Sequence, residues 1–239
     1  MKKIEVDVLF KWTIVLGTVF LLFGCTQGAG NADNAMKVLA KTLPVSADAQ
    51  FQNLNTFPGD VTCGEYNTKG EYRTYEGFRR FIVRNEQADK IASDDDWDIF
   101  CNRDPAARIQ ARFGIDLIDG ENRTVATIQQ QLNALVNALD AYLADNATLP
   151  VTEQGLAALA EKSTTSPVPG NFRAGGYLEQ IPVDPWGRPY QYIYEEQLRT
   201  EPIKYSLYTL GKDNTEGGKG ENADISIDHL TYLNHLSNL

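Results

Sequence analysis

Histidine is nearly missing from this 239-residue sequence: His229 and His235, close to the C-terminal end, are the only two. No serine or cysteine has an evident histidine base, so acyl transfer through an activated nucleophile finds no candidate, and enzyme is the weakest functional class. Six residues apart, the two rings do not share a helix face, which argues against a metal pair and leaves them as surface or tail residues. Positive charge is also short, with 22 Lys and Arg against 32 Asp and Glu and a net charge of -10. Phosphate backbones and anionic headgroups are therefore poor partners. Long apolar runs are scarce too. The stretch from Trp12 to Gly24 is uncharged, but it falls short of the about 20 residues that a membrane-crossing helix needs.

That stretch follows Lys2, Lys3 and Lys11, the pattern of an export leader over 1–24, although Glu5 and Asp7 are atypical there. It ends in Leu22-Phe23-Gly24-Cys25, which resembles a bacterial lipobox. Lipidation of Cys25 after cleavage is the leading expectation, with Phe23 an unusual occupant. A plain secretory signal and a retained anchor are the alternatives, and all three export the remainder. Without the leader the net charge stands near -11, because the leader carries three Lys against Glu5 and Asp7.

Setting Cys25 aside leaves Cys63 and Cys101, an even pair in an oxidising compartment, which predicts a disulfide; two buried free thiols are the alternative. The apolar fraction of 42% suffices for packed cores, and two domains are expected. Residues 25–34 are small and polar and read as a tether next to the lipid. A domain over 35–103 follows. Met36, Leu39, Ala40 and Leu43 predict a short helix stopped by Pro44. Strands are expected at 51–54, 60–66 and 75–83, separated by Pro58-Gly59 and a polar loop with Gly70, giving a small antiparallel sheet. Asp94-Asp95-Asp96 invites a metal reading, but adjacent carboxylates more often cap a helix or face solvent. Residues 104–123, with Pro105 and the turn signal Asp119-Gly120, read as the linker.

From Thr124 the apolar positions Val125, Ile128, Leu132, Leu135, Leu139 and Tyr142 keep to one face of a helix ending near Asn146. A second helix is expected over 152–161, then a loop rich in Pro and Gly, then strands at 177–178, 189–194 and 204–210 with alternating apolar positions. The fold class is α+β: a small domain with an antiparallel sheet, then a helix packed on a second small antiparallel sheet.

Three segments carry a more specific signal: ALDAYLADNATLPVTEQGLAAL, GGYLEQIPVDPWGRPYQYIY and YSLYTLGKDNTEGGKGENADI. Their order resembles the major, G-type pseudopilin of type II secretion, over residues 124–228. The chain departs from that family in having no long apolar helix ahead of Thr124, so filament packing of the family's kind is not expected. The N-terminal half, through ADAQFQNL, VTCGEYNTKGEY, YEGFRRFIV and a late Cys101, resembles a small uncharacterised family of exported bacterial domains, a likeness of shape alone.

The pseudopilin resemblance implies structural calcium in the last loop, and the residues make chemical sense of it because hard oxygen ligands suit that ion. By similarity the Leu210 carbonyl and Asp213 open the site, the Thr215 carbonyl and Asn222 contribute, Asp224 closes it, and Glu221 is a substitute ligand. Counted from Asp213, Gly218 and Asp224 fall at positions 6 and 12 of an EF-hand register, but strands are expected to flank the loop instead of helices. The alternative is a solvated acidic turn. In DPWG, Asp184 is expected as a turn acceptor and Trp186 as a packing anchor. The resulting expectation is an exported structural or adaptor lipoprotein linked to secretion machinery, held by a lipid anchor in the envelope and binding no nucleic acid. The rivals are a binding lipoprotein that reuses the fold and, more remotely, a surface hydrolase. Residues 229–239 are expected as a tail.

Overall fold

Side chains alternate faces along a strand, and β3 (Arg79–Arg84) uses both. Phe81 and Val83 point to one buried cluster and Ile82 to another. The computed structural model describes residues 27–43, 48–69, 74–117, 123–195 and 203–239, with side chains from 31 onward. The leader, Cys25 and the 119–120 turn signal lie outside the described residues.

The first sheet has the order β1-β2-β3-β4, with β1 (Gln50–Phe57), β2 (Val61–Asn67) and β4 (Gln87–Asp89) joined to β3 in antiparallel register. On one face it carries α1 (Gln27–Ala40), whose Ala35 and Leu39, with Leu43 just beyond, meet Tyr66, Phe81 and Val83. The tether reading of 25–34 is corrected here, because the helix begins at Gln27. Once Ala35 and Leu39 anchor a stripe, the small residues ahead extend the hydrogen-bonded ladder at little further cost. The third expected strand starts at Arg79, and Tyr75 only bridges to Lys69.

The other face opens onto the main core. Disulfide-bonded Cys63 and Cys101, with Cα atoms 5.9 Å apart, tie β2 to the end of α2 (Asp94–Phe100). Ser93 and Asp96 form a capping box at the start of α2, so the acidic run sits in a helical first turn where the dipole favours it. The linker reading of 104–123 is corrected as well. Asp104 caps α3 (Pro105–Phe113), Pro105 opens it and left-handed Gly114 ends it. Ile109 and Ile115 are fully buried.

α4 (Thr124–Asn146) presents the expected stripe from Ile128 to Tyr142 and stops at Ala147 in the left-handed region. The second sheet has the order β5-β6-β7: β5 (Gln191–Glu195), β6 (Lys204–Thr209) and β7 (Ile225–Ser226). Two expectations between them fail. The helix over 152–161 shrinks to a 3-10 turn, Leu156–Leu159, because Gly155 breaks right-handed geometry with φ 59°. Tyr177 and Leu178 form no strand; both backbone N–H groups donate to the Leu159 carbonyl.

The expected tail forms α5 (Leu230–Leu236), with Leu230, Tyr232 and Leu233 buried. Tyr232 stacks on Phe113 and tilts against Phe100, and its hydroxyl donates to Asp96. His229 and His235 are half-buried against this core and not free tail residues. Their rings lie 4.6 Å from Phe113 and 5.1 Å from Phe100, and burial lowers both pKa values from the usual 6.5. One buried cluster therefore joins Val61, Ile82, Ile99 and Ile109 to Ile128, Leu135, Leu207, Ile225 and Leu233. The two sheets share a core across the residues expected to separate them. The fold class is α+β.

Candidate functional site

The loop between β6 and β7 is fixed from below by a residue pair. Asp184 is 4% exposed, yet its carboxylate is well satisfied. Oδ1 accepts from the Trp186 and Arg188 backbone N–H groups at 3.0 and 2.8 Å, and Oδ2 from the Thr209 hydroxyl at 2.8 Å. This is the turn acceptor expected of DPWG. Trp186 is half-buried, with the Arg188 guanidinium over its ring, as a packing anchor should be. Arg188 was not foreseen as a site residue. Its two terminal nitrogens donate to the Lys212 and Gly211 carbonyls, while Nε makes an ion-pair contact with Asp184 rather than a hydrogen bond. The signal available in sequence was its spacing, four residues after Asp184, in a segment otherwise read as a turn.

Above this clamp the chain folds back on itself. Lys212 N–H donates to the Glu221 carbonyl at 2.8 Å, and the Lys212 ammonium pairs with the Glu221 carboxylate at 2.7 Å. Glu221 thus has a cationic partner, which weakens its case as a substitute ligand. Asp213 Oδ1 accepts from Thr215 N–H, and the Thr215 hydroxyl donates to the Asp213 carbonyl. Gly217 N–H donates to Asp224 Oδ2 at 2.8 Å, so the middle of the loop is pinned to its end. Gly211 and Gly218 have φ of 63° and 92°, and a Cβ on either would collide with the Asn222 main chain. Only glycine lets the strands pinch so closely there.

Leu210, Asp213, Thr215, Asn222 and Asp224 all lie along this loop, where Asp213 is joined to Thr215 and Asp224 to Gly217. Asp213 and Thr215 are exposed, and Leu210, Asn222 and Asp224 are half-buried. Asp224 Oδ1 is buried without a hydrogen-bond partner. Buried carboxylate oxygens are normally paired or coordinate a cation, so the donor set fits a calcium ion at this carboxylate. Among the described residues no three His, Cys, Asp or Glu side chains gather closely enough to hold a metal by themselves. A cation here would depend on main-chain and amide oxygens as well, which calcium accepts and softer metals do not.

The loop also touches the first half of the chain. Gly220 N–H donates to the carbonyl of Gly114 at 2.8 Å, and Lys219 packs against that same α3 terminus.

Residues 118–228 match the family model of protein G of the type II secretion system. The type II secretion system core protein G of Pseudomonas aeruginosa is 44% identical over 101 residues, which cover 42% of this chain and 68% of that relative. The protein of the same name from Vibrio cholerae is 49% identical over 92 residues, 38% of this chain and 60% of the relative. The chain thus spans about three-fifths of the length of that relative. A crystal structure of the major pseudopilin from the type 2 secretion system of enterohaemorrhagic Escherichia coli aligns with 36% identity over 44% of this chain and 86% of that one, at a TM-score of 0.36.

Proposed function

The chain belongs to the type II secretion system protein G family through its C-terminal part, and on that premise we propose that it is a non-enzymatic, exported envelope lipoprotein serving as a structural or accessory component of protein secretion. The observation that carries a structural role over a chemical one is the use of charged groups in and beneath the last loop to close it on itself. Asp184, Arg188, Lys212 and Glu221 are engaged in closing the turn, and His229 Nδ1, next to Ser226 at its end, accepts from the Ser226 backbone N–H and not from its hydroxyl.

Calcium fits this reading as a structural ion held by the Leu210 and Thr215 carbonyls with Asp213, Asn222 and Asp224. Its support is the unpartnered Asp224 oxygen. When bound, the ion would neutralise converging carboxylate and carbonyl dipoles and hold β7 against β6, stabilising only the folded state. The membrane partner would be reached through a lipid on Cys25, supported by the sequence of the leader alone. Among the described residues no helix is long and apolar enough to cross a membrane.

The test is affinity capture of the chemically crosslinked, tagged chain from cell envelopes, with labelled palmitate in the growth medium. Secretion-apparatus proteins should appear in the eluate, and the chain should carry label that Cys25→Ser removes. An eluate without such proteins favours the second reading, an exported binding lipoprotein that reuses the family's fold.

A further inference from the structure

A second site lies where the two halves meet, independent of the reading above. The start of α1, the β1–β2 and β3–β4 turns and the outer face of α5 wall a cleft of about 560 Å³, within the range of small-molecule sites. The geometry points to a binding site for a neutral, hydroxyl-rich ligand, a sugar of one or two rings.

The lining is amide and hydroxyl rather than apolar or strongly charged. Among the described residues five asparagines line it, and Ala35 and Val83 are its only aliphatic side chains. Its one guanidinium, Arg84, already donates to the Thr231 hydroxyl and lies 4.4 Å over the Phe100 ring. Asp60 and Glu86 flank it, so a phosphate or carboxylate ligand would meet net repulsion. Asp60 accepts from Asn31. Asn34, Asn85 and Glu86 have no side-chain hydrogen bond or ion pair among the described residues.

The His235 ring lines the cleft as well, with its Nε2 closed off inside the protein. A carboxamide both donates and accepts, so each free asparagine side chain matches two neighbouring hydroxyls. An extended peptide fits less well. The strands that line the cleft, β2 and β3, are interior to their sheet and have neighbours on both sides, so they offer no open edge for strand addition.

The test uses the chain from residue 26 onward in solution, followed by amide and imidazole NMR, with N,N′-diacetylchitobiose, cellobiose and uncharged tetraalanine as probes. A disaccharide should shift His235, Asn34 and Asn85 resonances. Asn34→Ala and Asn85→Gly, the latter chosen because Asn85 has φ 49°, should each weaken binding about fivefold, the effect of one lost hydrogen bond, with thermal unfolding unchanged. A chitohexaose arm separates the sources: binding as tight as the disaccharide indicates a glycan chain entering by its end, and failure to bind indicates a free small sugar. The proposal is overturned if neither disaccharide perturbs the cleft, if tetraalanine binds as well as they do, or if both variants keep full affinity.

Discussion

Removing the Cys63–Cys101 crosslink, as Cys63→Ala with Cys101→Ala, should lower stability chiefly through the unfolded chain. The cysteines are 38 positions apart. The chain-entropy relation for a loop of that size gives about 4 kcal/mol at 25 °C, or roughly 8–16 °C in Tm for a protein of this length. Cys63 contributes to the shared core, so the loss should reach the whole molecule and not the first sheet alone. The assay is urea unfolding followed separately by Trp97 and Trp186 in single-tryptophan variants, one reporter in each half. Both should move together to lower urea, with a larger m-value because the uncrosslinked chain exposes more surface. A loss below about 1 kcal/mol would refute the entropic argument. A shift seen by Trp97 but not by Trp186 would refute the continuous core.

Two further outcomes follow from the core and its cap. His229 and His235 have folded-state pKa values lowered by burial, so the unfolded chain binds more protons below the usual 6.5. Stability should be level above about pH 7 and fall as pH drops from 6.5 towards the folded values, and His229→Gln with His235→Gln should flatten that acid limb in pH-dependent denaturation. Ile109→Ala, at a fully buried position of α3, should cost about 2–5 kcal/mol by leaving a cavity, measured by the same urea unfolding; a cost under 1 would restore α3 to the status of a loose linker.

Much of the fold was legible where a periodic signal ran long. The stripe of α4 survives from Ile128 to Tyr142, and the strands expected at 189–194 and 204–210 reappear as β5 and β6 with their ends moved by one or two residues. Where the reading failed, a distant contact decided. α5 reads as a tail until Phe100 and Phe113 provide a surface for Tyr232 and the two histidines. α3 looks like a connector until Ile109 finds the core. Gly155 within the segment 152–161 could have warned against a full helix, since its positive φ interrupts the turn just before Leu156. In the candidate site the acidic residues and glycines were readable as a loop with hard oxygen donors. The Arg188 clamp and the contact with Gly114 were not, because they depend on which segments the fold brings beneath the loop.

The most direct test of the central claim, that the last loop is a cation-closed structural element, is the Tm of the chain from residue 26 onward in calcium and in chelator, for the parent and for Asp224→Asn. With calcium at 100 times its Kd, the ion should stabilise the parent by about 2.7 kcal/mol, or roughly 5–10 °C. Asp224→Asn keeps an acceptor for Gly217 N–H and removes the unpaired charge. In chelator it should melt at or above the parent, and calcium should not move it. A parent indifferent to calcium, or a variant that responds as the parent does, would contradict the account.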